Sequence, residues 1–375
     1  MKVLVTARFL GGRLEGIGHY THEVLSEAIR LGPEHTWHLA YDRKEDRIRI
    51  PSDNVFHHHL YPPTRHPGLV KLWLWRLQGL IDRIKPDLIW APDGPVPDQA
   101  KCKTVTTIHD IAYLTYPEGM RRRDLLFAEQ ITPRLIKKVD QIVTVSNYSA
   151  EVICSHFAEA RNKMSVIHNG VHHNEWQLDK SIIASIKRRY TDGRPYLLYM
   201  GSMHPRKNTE RLIRAFEYFK SQTSFPHVLI LAGRMAWHSE AIRHAVQTSP
   251  YRSDIMHLSA IGDIRHALMA GAEMLVYPSI EEGFGLPVLE AMSAGTSVIT
   301  SRNSAMQEVC GEAATYVDPM DIQEIATMIS HLARDTDKRE SLVESGRRRS
   351  KLYSWRRSGE EHLRLFEKIV QSPAL

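Results

Sequence analysis

Glu282 and Glu290 stand with seven residues between them in the stretch Val276-Tyr-Pro-Ser-Ile-Glu281-Glu282-Gly283-Phe284-Gly285-Leu286-Pro287-Val-Leu-Glu290-Ala-Met-Ser-Ala-Gly295. An ionised carboxylate only accepts hydrogen bonds. Glycines at 283 and 285 turn the chain sharply and leave backbone amides uncovered. Pro287 fits the first turn of a helix, where its missing N–H would have no partner. Such a helix start carries unpaired N–H groups and a positive dipole end, which suits a phosphate. Glu282 then sits on the loop and Glu290 in the first helical turn, flanking one anion-binding point. The combination suits a sugar nucleotide, with the diphosphate on the amides, one carboxylate on sugar hydroxyls and the other on ribose hydroxyls. Spacing alone leaves a second reading open, in which the dipole favours a first-turn Glu and the loop Glu is merely solvated.

The elements that must hold these residues follow from periodicity. Met274-Leu-Val-Tyr277 is an apolar run of strand length feeding the turn and helix. Tyr196-Leu-Leu-Tyr-Met200 is another, followed by Gly201-Ser202-Met-His-Pro205-Arg206-Lys207-Asn208 and a helix over 209–220. Dipole logic disfavours cations at a helix start, so Arg206 and Lys207 are poorly explained as structure, and a bound diphosphate resolves the conflict. Strands over 228–231 and 255–259, with loops at Gly233-Arg234 and 260–263, frame a base without identifying it. Residues 322–334 and 335–353 read as helices, and Ser354-Trp355 caps a last one.

The first half shows the same rhythm. Strands are expected at 2–7, 36–41, 55–59, 87–91, 104–108 and 141–145, alternating with helices at 17–31, 69–84 and 124–138. This alternation indicates a parallel sheet wound on both faces. Gly11, Gly12, Gly16 and Gly18 punctuate the loop after the first strand, where an α/β domain approaches a ligand, although glycines that only shape a turn fit too. Ile108-His109-Asp110-Ile111 ends a strand, so its polar pair falls at the ligand edge of a sheet or caps the following turn. His57-His58-His59 lies in an extended segment whose neighbours point to opposite faces, which favours a solvated strand end over a metal site. The helix with Trp73 and Trp75 reads first as core packing. A sharper reading places it at a membrane interface, helped by Arg121-Arg122-Arg123. The polar region 174–194 reads as the linker between two domains.

The string Glu282-Gly-Phe284-Gly-Leu286-Pro-Val-Leu-Glu290-Ala-Met, with Gly295, resembles the Glu-x7-Glu motif of family 4 (group 1) retaining glycosyltransferases of the GT-B type. The resemblance runs from Gly16 to Trp355 and is strongest over 201–208 and 276–300. It implies an α/β fold of two doubly wound, Rossmann-like parallel-sheet domains facing a cleft. The implied division is 1–180 as the acceptor-side domain, 190–354 as the nucleotide-sugar-binding domain and 355–375 as a helix crossing back to the first. By resemblance, Gly16-Ile17-Gly18 lies against donor diphosphate and acceptor, and His109 beside the transferred sugar. Lys207 and Arg206 hold the donor phosphates, Glu282 the sugar and Glu290 the ribose. Gly201, Ser202, Gly283, Phe284, Gly285 and Leu286 complete the donor site. Many relatives carry an arginine directly after the first of these glycines, where this chain has Ser202. His168 in Val166-Ile-His168-Asn-Gly170-Val171 replaces the family's usual proline.

The implied reaction moves a sugar from a nucleoside diphosphate sugar to a saccharide or lipid-linked saccharide acceptor in polysaccharide or lipopolysaccharide assembly. Configuration is retained, no metal or other cofactor takes part, and GDP or UDP is the product. Pro-Arg-Lys-Asn with Glu-Gly-Phe-Gly is similar to enzymes using GDP-mannose, hence a mannosyltransferase. The rivals are a nucleotide-sugar epimerase of the same fold, and a sugar-nucleotide-binding protein without turnover.

Composition bounds these readings. With 375 residues, 42% hydrophobic and 25% charged, the chain is long enough for two ordinary soluble domains. No apolar run reaches the ~20 residues that span a bilayer, and Met1-Lys-Val-Leu-Val reads as a strand rather than a signal peptide. Cys102, Cys154 and Cys310 lack paired spacing, which fits buried thiols in a reducing cytoplasm. The net charge of +6 fits anionic ligands or peripheral contact with the inner face of the membrane, and is no argument for nucleic acid.

Overall fold

The computed structural model describes residues 1–10, 16–43, 50, 52–61, 67–92, 94–176, 178–237 and 239–372. The chain forms two compact units, one from Met1–Asn169 with Trp355–Leu375 and the other from Gly170–Ser354.

The first unit holds strands β1 (Lys2–Thr6), β2 (Thr36–Tyr41), β3 (Val55–His59), β4 (Leu88–Ala91), β5 (Lys103–Thr107), β6 (Gln141–Thr144) and β7 (Met164–Val166). They pair in the order β3-β2-β1-β4-β5-β6-β7, and every pair is parallel. Parallel strands need crossovers, and helices α1 (Gly16–Leu31), α2 (Val70–Ile84), α3 (Ala112–Thr115), α4 (Arg122–Lys138) and α5 (Asn147–His156) lie between them in sequence. Val3, Leu4, Val5 and all of β4 are shut off from solvent. Uninterrupted apolar strands are what a sheet covered on both faces requires. Trp73, Leu77, Leu80 and Ile81 of α2 join Leu135 and Ile136 of α4 around Ile89 and Ile142 in the core.

Three expectations are refined here. Helix α1 begins at Gly16, so Gly16, Ile17 and Gly18 form its first turn rather than the loop, while Gly11 and Gly12 lie outside the described residues. The two tryptophans of α2 separate: Trp73 is buried beneath the Arg8 guanidinium at 5.3 Å, and Trp75 is 72% exposed. Positions two apart on a helix face nearly opposite ways, so one sequence supports core packing and an exposed aromatic together. The histidines of β3 take separate partners: His57 Nδ1 pairs with the Tyr41 hydroxyl at 3.1 Å, His58 Nε2 with His38 Nδ1 at 2.9 Å, and His59 Nδ1 donates to the Arg43 carbonyl at 3.2 Å.

The second unit holds β8 (Tyr196–Met200), β9 (Val228–Ala232), β10 (Ile255–Leu258), β11 (Met274–Tyr277), β12 (Ser297–Ser301) and β13 (Thr315–Val317). Their order is β10-β9-β8-β11-β12-β13, again wholly parallel. The helices are α6 (Lys180–Thr191), α7 (Thr209–Gln222), α8 (Glu240–Thr248), α9 (Arg265–Gly271), α10 (Leu286–Ala294), α11 (Met306–Cys310), α12 (Ile322–Arg334) and α13 (Thr336–Ser350). Both sheets reverse direction of growth beside their first strand, between β1 and β4 and between β8 and β11. Ligands of open α/β sheets bind outside the carboxyl ends of the strands at such a point.

The last helix, α14 (Trp355–Gln371), belongs to the first unit and packs along α1. No helix among the described residues is long and apolar enough to cross a membrane.

Candidate functional site

The loops leaving β8 and β11 are joined to one another at the switch point of the second sheet. Pro205–Lys207 forms a single 3-10 turn, and Asn208 follows in the left-handed conformation at φ 60° before α7 begins. The Asn208 side chain donates to the carbonyls of Pro278 at 2.9 Å and Pro319 at 2.6 Å. Arg206 donates from its guanidinium to the Glu281 carbonyl at 2.7 Å, and its own carbonyl accepts from the Ile280 amide at 2.9 Å. Gly233 closes in from the loop after β9. A Cβ there would stand 1.9 Å from the Gly201 carbonyl oxygen, so only glycine lets the two backbones approach.

Glu282 is the centre of this arrangement. Its Oε1 accepts from the Lys207 ammonium, the Tyr277 hydroxyl at 2.9 Å and the Ser279 hydroxyl at 2.9 Å. Arg206 stands 3.9 Å from Oε2. Burial opposes ionisation of this carboxyl, but the Lys207 and Arg206 charges beside it prevail and hold it below the ordinary carboxylate range. Tyr277 moves the other way: burial, and then the Glu282 charge, push its hydroxyl well up. Two cations thus face one carboxylate in a nearly dry setting just before the start of α10.

Helix α10 follows directly on this cluster. Gly285 caps it at φ 93°, and a Cβ at this position would meet Met306 Cε at 2.6 Å. Leu286 is the first helical residue, so Glu290 lies in the second turn, not the first; the left-handed cap at Gly285 starts the helix earlier than proline placement alone suggests. Phe284 stacks edge-on against Tyr353 at 5.8 Å and is buried, which commits its side chain to packing. Glu290 is engaged through Oε1 by the Arg265 guanidinium, which opens α9. Arg206, Lys207 and Glu282 are therefore brought together, as are Gly283 and Gly285 beside them. Tyr277, Ser279, Asn208 and Arg265 were not singled out by sequence. Only Asn208, in its polar run after a strand, carried a visible signal.

In the first unit, His109 lies half-buried in the loop after β5, with Nε2 donating to the Pro92 carbonyl at 3.0 Å. Burial lowers its pKa. Asp110 accepts from the Ala112 amide at 3.1 Å, the local cap that a His-Asp pair at a turn also allows. The His109 ring meets the Tyr20 ring edge-on at 4.6 Å. The Tyr20 hydroxyl contacts His362 Nε2 at 2.8 Å and Thr107 at 3.1 Å, while Trp90 Nε1 donates to Thr107 at 3.1 Å. His362 Nδ1 donates to the Ser358 carbonyl at 2.7 Å, so Nε2 is the nitrogen that accepts from Tyr20. Among the described residues, three metal-type ligands gather at Glu34, His35 and Glu367, all in this first unit.

The comparisons with known proteins agree with this layout. The family described as "Glycosyltransferase Family 4" matches residues 14–175, and "Glycosyl transferases group 1" matches residues 183–349. The O-antigen chain mannosyltransferase B of Escherichia coli is 28% identical over 368 residues, covering 95% of this chain and 96% of that protein. Sucrose-phosphate synthase from Thermosynechococcus elongatus superposes with a TM-score of 0.83 at 19% identity, over 98% of both chains. The Anabaena protein HepE, solved with UDP and glucose, gives 0.76 at 18% identity, over 98% of this chain and 100% of that one. At those identities the likeness to the solved structures is one of fold. Two adjacent glycosyltransferase family models thus match residues 14–175 and 183–349, and the double-sheet fold is the one these solved structures share.

Proposed function

We propose that the protein is a retaining, metal-independent hexosyltransferase that moves mannose from GDP-mannose to a saccharide or lipid-linked saccharide in polysaccharide assembly. The observation that carries the reading is the cluster of Lys207 and Arg206 on Glu282 beside the capped start of α10. The similarity to a mannosyltransferase of O-antigen assembly supports the sugar.

In this reading the unit with β8–β13 takes the donor and the unit with β1–β7 the acceptor. The diphosphate lies on Arg206, Lys207 and the backbone around Gly283, Phe284, Gly285 and Leu286, with Gly201 and Ser202 lining the opposite loop. Glu282 holds sugar hydroxyls and Glu290 the ribose. As the bond between anomeric carbon and phosphate oxygen breaks, negative charge grows on the diphosphate and the two cations stabilise it. Arg206 is permanently charged, which suits a site that works without a metal ion. The acceptor oxygen bonds to the anomeric carbon on the face the phosphate leaves, and its proton passes to a departing phosphate oxygen. No side-chain base is required. In the same reading, His109 and the Gly16–Gly18 turn are the first unit's candidates for contacts to sugar and acceptor. Trp75, Leu126 and Arg121–Arg123 are exposed and would rest on the inner face of the membrane where a lipid-linked acceptor is presented.

The test is turnover of GDP-mannose with candidate glycan acceptors, with the anomeric configuration of the product read by NMR. An α-linked product from the α-linked donor supports the reading. An inverted product, or free epimerised sugar released without acceptor, overturns it.

A further inference from the structure

Beyond the diphosphate cluster, Arg265 forms a second charged contact. Its guanidinium holds Oε1 of Glu290 and lies over the Trp176 ring at 5.9 Å. Trp176 is itself braced edge-on by His266 at 4.5 Å. Glu290 is 3% exposed, and its other oxygen, Oε2, is buried with no hydrogen-bond partner among the described residues. A bare carboxylate oxygen in a protein interior is costly, and a ligand hydroxyl would relieve it. The Arg265 side chain remains 32% exposed, so it is both anchored and reachable.

The guanidinium carries five N–H donors in one plane, and Glu290 Oε1 occupies only part of that set. The contacts to Glu290 and Trp176 limit how the plane can turn. A planar fork of donors matches paired acceptors on one edge of a base, and O6 with N7 of guanine is the pair that arginine fits best. Adenine presents a donor at the same place as O6. Uracil has a single carbonyl there with no second acceptor at the N7 position. If Glu290 holds the ribose, the group touching Glu290 is next to the base.

We infer that Arg265 reads the base of the donor nucleotide and selects a 6-oxopurine. This rests on the proposed role of the α10 site as a nucleotide-sugar site and goes further, to the residue that sets the nucleotide. A structural ion pair alone would hold Glu290 and treat all bases alike, which gives the test its contrast.

The experiment is calorimetric titration of the intact protein and of Arg265→Lys and Arg265→Ala with GDP, IDP, UDP and ADP. The natural protein should bind GDP and IDP within about threefold of each other, and roughly tenfold or more tighter than UDP and ADP. Lysine keeps a charge on Glu290 but lacks the fork. Arg265→Lys should therefore bring GDP and IDP down to the level of UDP while UDP changes by no more than about threefold. Arg265→Ala should flatten the ranking and weaken all four. An unchanged GDP-to-UDP ratio in Arg265→Lys overturns the inference, as does an equal loss for all four ligands, which would leave Arg265 only holding Glu290. Absence of binding of any nucleoside diphosphate by the natural protein overturns the nucleotide site itself.

Discussion

Lys207 and Glu282, 75 residues apart in sequence, meet as ammonium and carboxylate across the gap between the loops after β8 and β11. Neither is exposed enough for solvent to replace the other. In the proposed reading, a donor phosphate would meet Lys207 held in place by Glu282, with Arg206 beside the same carboxylate.

The proposed phosphate contact of Lys207 can be separated from its part in stability. Lys207→Met should lower kcat on the order of a hundredfold or more, because the lost cation acts as charge develops on the leaving group. It should also lower the melting temperature, since removing one partner of a buried pair strands the other and typically costs ~3–5 kcal/mol. Adding Glu282→Gln should restore most of the stability and none of the activity. Thermal melts and turnover on the two single variants and the double variant check both halves. Recovery of activity in the double variant would count against Lys207 as a phosphate ligand.

The two glutamates should part company in calorimetry. Glu290→Ala should weaken free GDP and GDP-sugar alike. Glu282→Ala should weaken the sugar nucleotide and scarcely change the free nucleotide. A hydrogen bond to a charged group is worth roughly 1.5–3 kcal/mol, so each loss should read as about ten- to a hundredfold in affinity. An equal effect of Glu282→Ala on both ligands would refute the division of roles.

His362 predicts how stability depends on pH. Burial lowers its pKa from 6.5 to about 4 in the folded protein. The unfolded chain takes up a proton below pH 6.5 that the folded chain refuses, so the stabilisation is complete above that pH and is lost as pH falls toward 4. Between pH 7 and 4.5 the loss from this one group is about 2–3 kcal/mol. Denaturant midpoints at the two pH values should differ less for His362→Gln than for the natural protein. Equal pH dependence in both would remove His362 as the source.

Chelation gives a direct check on the role of the cations. With Arg206 and Lys207 supplying the positive charge, turnover should persist in excess EDTA. Loss of activity that manganese or magnesium restores would show that a metal ion shares the phosphate charge.

Local patterns in the sequence carried far, and contacts between distant residues did not. Strands 36–41, 55–59 and 196–200 and the helix 322–334 have the bounds that periodicity predicts. Pro195 and Gly201 bound the strand 196–200, and Asp321 and Asp335 bound the helix 322–334. Arg206 and Lys207 stood out because cations at a helix start conflict with purely local preferences, and Glu282 because it precedes Gly283 at a set spacing from Glu290. Arg265 gave no such conflict: an arginine opening a short helix looks solvated until α10 brings Glu290 against it. The same holds for Tyr20 and His362, which are 342 residues apart and meet only because α14 returns to α1. The placement of Asp110 was ambiguous for the opposite reason, since a turn cap and a site residue make the same local contact.

That return has a consequence for the order in which the chain matures. Gly359 lies so close to α1 that a Cβ on it would stand 2.5 Å from the Glu27 Cβ, so the two helices approach almost backbone to backbone. The first unit is encoded at both ends of the chain, while the second is one continuous segment. On the ribosome the unit begun first is therefore the one finished last. Until Trp355 and the residues after it are synthesised, the groove on α1 that receives them is bare and the Tyr20 hydroxyl lacks its histidine. Nascent chains halted before α14 would carry a closed second unit and an open first one, an apolar surface for chaperones or for aggregation to find.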